Sequence, residues 1–108
     1  MGRQLVSRRE QVADEARFRR LADRWRTEAE FCASVRDMAM HPAYQQIIGM
    51  GPAAIPFILR RLAARPDHWF WALKAITQED PVKEEDRGDI RKMTRAWLEW
   101  GARNGYEV

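Results

Sequence analysis

His41 and His68 are the chain's only histidines, the side chains whose ordinary titration lies nearest neutral pH. With Asp67 beside His68, and Glu79 and Asp80 further on, they invite two chemical readings: an acid–base pair or part of a metal site. Zinc asks for three or four convergent ligands at close spacing on a helix face or turn, and no third ligand accompanies either histidine in that way. His41-Pro42 and Asp67-His68 both read as helix starts, where polar side chains accept from free backbone donors. Capping or surface roles are expected for both histidines, with no metal-binding residue.

The other candidates carry less chemistry. Ser7 and Ser34 are the only serines, and neither lies in a Gly-x-Ser-x-Gly turn. The run GMGP (49–52) is not followed by Lys-Ser/Thr, and Pro52 and Pro56 remove backbone donors that a phosphate would use. A tight turn between helices is expected there. The acids Glu79, Asp80, Glu84, Glu85 and Asp86 lack the alternating ligands and central glycine of a calcium loop, and read as a solvated approach to a helix. Cys32 is the single cysteine, so no intrachain disulfide forms, and a small buried apolar role is expected. No catalytic residue, no cofactor and no enzymatic activity are expected.

The elements that position these residues read as helices throughout. A first helix over about 8–26 aligns Phe18, Leu21, Ala22 and Trp25 on one stripe. A second, over about 28–40, aligns Phe31, Val35 and Met38, and ends at His41-Pro42 because the residue before proline leaves the helical region. A third carries Tyr44, Ile47 and Ile48 inward and stops at Gly49 and Gly51. A fourth starts at Pro52, a natural first helical residue, with Ile55, Ile58, Leu59 and Leu62 facing the core, and Pro66 closes it. Asp67 is expected to cap a fifth helix whose inner face is Trp69, Leu73 and Ile76. A sixth begins near Asp86 or Asp89 and runs to about Arg103, with Ile90, Met93, Thr94, Trp97 and Leu98 in line, before the Asn104-Gly105 stop. Strand signals are nearly absent. The expectation is a single all-α domain of five to six helices over residues 1–108, with a basic N-terminal arm (about 8–40) and a helical core (about 42–104).

Composition sets the outer limits. The chain has 108 residues, 45% of them hydrophobic, which suits one folded domain. No apolar run reaches the length of a membrane span, and MGRQLVSRREQ has no apolar centre of the secretory kind. A bacterial-type cytoplasmic location is expected. Residues 1–26 hold eight arginines against four acids, so that segment is +4 within a chain of net charge +3. Such a segment suits an acidic partner, whether protein or nucleic acid, or it is a solvated face of paired charges.

Residues 51–62 (GPAAIPFILRRL) followed by 68–76 (HWFWALKAI) resemble a HEAT-type helical repeat, matching at Gly51, Ala54, Ile55, Pro56, Leu59, Leu62, Ala72, Leu73 and Ile76. The resemblance implies a central helical hairpin, here inside a compact domain and not in a solenoid of several units. More loosely, residues 18–106 resemble a group of small uncharacterised bacterial proteins that share runs close to HPAYQQIIGMG, AIPFIL, PDHWFWAL, ITQEDPV and AWLEWG. That resemblance implies a bacterial source and a free-standing all-helical domain, and no activity.

At 100° per residue, Trp71 points about 160° away from the Trp69–Leu73–Ile76 face, and Phe57 points away from its own helix's stripe. Either the N-terminal helices cover these two aromatics or a partner does. Trp71, Phe57, Arg17, Arg20 and Arg24 are therefore the candidate partner-binding residues. The expected function is a small protein-interaction module, such as an accessory or antitoxin-like neutralising subunit. The alternative is a nucleic-acid-associated protein using the arginine-rich first helix. Self-association is a further possibility, and no membrane partner is expected.

Overall fold

The computed structural model describes residues 7–106, and the sequence readings on residues 1–6 lie outside it. The first helix, α1, spans Arg8–Glu28. It starts on a reciprocal cap: Ser7 Oγ accepts from the Glu10 N–H (3.1 Å) while the Glu10 carboxylate accepts from the Ser7 N–H (3.3 Å). Its buried stripe is Phe18, Ala22 and Trp25, at i, i+4 and i+7. A 3₁₀ turn, Ala29–Phe31, then ends the run.

The expected second helix over 28–40 is instead split here. Cys32 is extended, and α2 is only Val35–Met40, started by Ser34, whose hydroxyl accepts from the Asp37 N–H (3.0 Å). The break rotates the expected stripe: Met38 packs on the core, while Phe31 and Val35 face outward. Met38 is fixed by the Trp25 indole, which donates to its carbonyl (2.8 Å).

The third helix, α3 (Pro42–Gly49), is capped by His41, whose Nδ1 accepts from the Ala43 N–H (3.0 Å). Gly51, at φ +70°, turns the chain into a 3₁₀ segment over Gly51–Ala54, so the regular fourth helix, α4, begins at Ile55 and not at Pro52, ending at Ala64. The fifth, α5, is Phe70–Thr77. Asp67 lies just ahead of it and accepts from the His68 N–H through Oδ1 (2.8 Å) and from the Trp69 N–H through its carbonyl (2.9 Å), a local turn in place of the expected helix cap. The last, α6 (Ile90–Arg103), is capped by Asp89, whose carboxylate accepts from the Lys92 N–H (3.1 Å).

Six α-helices and no strand make the described residues an all-α fold. In it α1 lies on α3, α3 on α5 and α4 on α6. The basic segment and the later helices share one core: Phe18 and Trp25 of α1 pack with Tyr44 of α3 and with Trp69 just before α5. Arg61–Asp23 (2.9 Å) ties α4 to α1 at the surface. On the far side α4 and α6 approach closely, since a Cβ added at Gly101 would lie 2.7 Å from Leu59 Cδ1. Among the described residues no single helix is long and apolar enough to cross a membrane.

Candidate functional site

Three elements leave an apolar groove between them. The Phe70-Trp71-Ala75 side of α5, the first turn of α6 with Ile90 and Met93, and Val35 at the start of α2 form its walls; its volume is about 550 Å³. His68, Lys74 and Gly88 complete the lining. Phe70 is buried beneath it, whereas Trp71 and Val35 are 41% and 46% exposed. Such an opening desolvates an apolar guest and offers one large indole face.

The sequence follows this geometry step by step. On an eight-residue helix, Leu73 and Ala72 turn inward to the core, and Trp71 must then face away. The helix ends at Gln78, which takes the left-handed conformation at φ +61°. The acidic loop that follows is held by Asp80, which pairs with Arg87 (2.9 Å) and with Lys74 of α5 (3.5 Å). Val82 is buried in that loop, and Asp89 then restarts the chain so that Ile90 and Met93 reach the groove wall.

The sequence-derived candidates fall in three places. Trp71 lines the groove. Phe57 does not; it is half-buried under α1, its ring 5.7 Å from that of Phe18, with the Arg60 guanidinium 5.7 Å from its centre. Arg17, Arg20 and Arg24 lie exposed on α1, on the side away from Phe18, Ala22 and Trp25. Arg24 pairs with Glu28 (3.4 Å), while Arg17 and Arg20 have no acidic partner among the described residues. Val35, Phe70, Ile90 and Met93 are groove residues that sequence reasoning missed. The available signal was the width of the apolar face: Phe70 and Trp71 adjacent on α5, and Ile90 with Met93 at i, i+3 ahead of the Trp97 layer.

The histidines are far apart in role. The ring of His41 accepts at Nδ1 from the α3 start and therefore carries its proton on Nε2, which meets Glu28 Oε1 at 2.6 Å. That hydrogen bond holds the Glu28 carboxyl below its ordinary value of 4.5, with Arg24 adding to the effect. His68 presents its backbone to the core, its carbonyl accepting from the Tyr44 hydroxyl (3.0 Å), and the residue belongs to the groove lining. Among the described residues no three His, Cys, Asp or Glu side chains converge on a point where a metal ion would sit. Cys32 is partly buried against the core. What the groove can do chemically is desolvate and hold an apolar group, with Lys74 and His68 in its lining.

Compared with protein-family models, curated proteins and solved structures, the chain matches none of them.

Proposed function

We propose that this chain is a small protein-interaction module that binds another polypeptide in the groove beside Trp71. The observation that carries the reading is a partly exposed tryptophan set in an apolar groove of about 550 Å³. Exposed apolar concavities of this kind mark interaction sites, and tryptophan leads the residues that dominate binding energy. The resemblance of residues 51–76 to a HEAT-type hairpin agrees with it, since that architecture presents binding surfaces. The reading assigns no chemical step and calls for no cofactor. It fits a cytoplasmic accessory or neutralising subunit that works by covering its partner.

The test is site-specific photocrosslinking in cells, with the photoreactive group at position 71 and, as a control, at position 57. A discrete protein adduct from position 71 and none from position 57 is the expected result. Absence of any polypeptide adduct at position 71 sinks the reading.

A second reading rests on Arg17 and Arg20, two cations without acidic partners on the open face of α1, where phosphates would be contacted. It requires binding of DNA or RNA that falls steeply with salt and that is abolished by reversing Arg17, Arg20 and Arg24 to Glu. Lack of retention at low salt leaves these arginines as a solvated or protein-facing surface.

A further inference from the structure

We infer that the groove is filled by a second copy of this chain, Phe31 of each copy seated in the groove of the other; this rests on the groove being a protein-binding site. Phe31 is 87% exposed, the most exposed large apolar side chain among the described residues. It is presented on a defined turn: it closes the 3₁₀ segment Ala29–Phe31, and the Cys32 N–H donates back to the Ala29 carbonyl (3.0 Å). A backbone fixed in that way leaves only the side chain's own freedom to be lost on docking.

The knob and one wall of the hole are close along the chain. Val35, a wall of the groove, is four residues from Phe31 in a segment anchored to α1 by the Trp25–Met38 hydrogen bond. A closed two-fold interface is served by this proximity, because each copy must offer knob and hole to its partner across one axis; patches on different faces would instead build rings or open chains. The charges agree. Glu30, next to the knob, is exposed and has no ion pair among the described residues, and Lys74 lies on the groove lining. Lys74 is only loosely engaged by Asp80, at 3.5 Å and half exposed, so it can turn to the incoming carboxylate. The ring supplies the buried anchor, and the Glu30–Lys74 pair sets its orientation.

The experiment is sedimentation velocity on the full chain over a rising concentration series. The parent protein should pass from 12.7 kDa to twice that mass and stop there. Phe31→Ser and Trp71→Glu should each stay monomeric with unchanged helical signal, since both side chains are exposed. Mixing the two variants should restore association, because one brings an intact groove and the other an intact Phe31, leaving one of the two contacts whole. A parent protein that stays monomeric, a Phe31→Ser variant that dimerises like the parent, or a mixture that fails to associate would each overturn the inference. Growth beyond a dimer overturns the two-fold arrangement. The photocrosslink at position 71 separates the two claims: an adduct of twice the chain mass supports self-association, an adduct only with a different polypeptide overturns it and leaves the groove a protein site, and no adduct removes both.

Discussion

Trp69 and Trp71 are two residues apart and live in opposite surroundings. Trp69 is 2% exposed, with the rings of Phe18, Trp25 and Tyr44 at 5.8, 4.6 and 5.6 Å. Trp71 is 41% exposed, and no aromatic ring contacts it among the described residues. The same residue type is thus spent on cohesion at one position and left available at the other. The two positions are two residues apart, a step that turns a side chain to nearly the opposite side of the chain, so one indole enters the core and the other is left partly in solvent.

The sharpest way to break this comparison is to truncate both. Trp69→Ala should cost about 3–5 kcal/mol, as emptying a packed aromatic site does, whereas Trp71→Ala, whose indole is only partly covered, should cost about 1–2 kcal/mol. Urea denaturation of the two variants measures the difference, and equal losses would erase the distinction.

The cohesive side can be probed next through Tyr44. Its hydroxyl donates to the His68 carbonyl (3.0 Å) and accepts from the Ala72 N–H (2.9 Å), bridging the segment that carries both tryptophans. Tyr44→Phe leaves both backbone groups unpaired and should cost about 1–3 kcal/mol. Burial pushes the Tyr44 phenol above its ordinary value of 10.0, an effect the Ala72 hydrogen bond partly opposes. A phenol held neutral by the fold binds its proton more tightly folded than unfolded, so its contribution is complete below about pH 10 and is lost as pH rises beyond it. Stability measured across that range should fall in the parent protein and fall less in Tyr44→Phe.

The smallest effect tests the end of the helix that carries Trp71. Gln78 ends α5 at φ +61°, a conformation glycine adopts freely, although its side chain recovers a hydrogen bond to the Ala75 carbonyl (2.8 Å). Gln78→Gly should raise stability by up to about 1 kcal/mol in a thermal melt and leave Trp71 where it is. A loss would mean that the side-chain bond outweighs backbone strain.

Much of this arrangement was legible in the sequence. The stripes of α1, α4 and α6, a sixth-helix start at Asp86 or Asp89, the His41-Pro42 boundary and the outward direction of Trp71 follow from periodicity and capping alone; the structure selects Asp89. Phe31 and Val35 did not, because Ser34 starts its own helix and resets the phase that a continuous 28–40 helix would have kept. Phe57 was half legible. Its direction away from the α4 stripe was readable, but its cover depends on where α1 docks, which rests on contacts with Phe18 distant in sequence. The groove was illegible for the same reason. Its walls come from α2, α5 and α6, and no local pattern states how those three meet.

One feature of the tryptophan set has an optical consequence. Of the five indoles, Trp25, Trp69, Trp97 and Trp100 are at most 5% exposed, and Trp71 alone stands open. The solvent-relaxed, long-wavelength part of the intrinsic fluorescence, and the part reachable by a soluble quencher, therefore belongs to a single residue. That residue lines the groove. An apolar guest that displaces water there should shift the emission to the blue and shield it from quenching, so occupancy can be read without a dye or a tag.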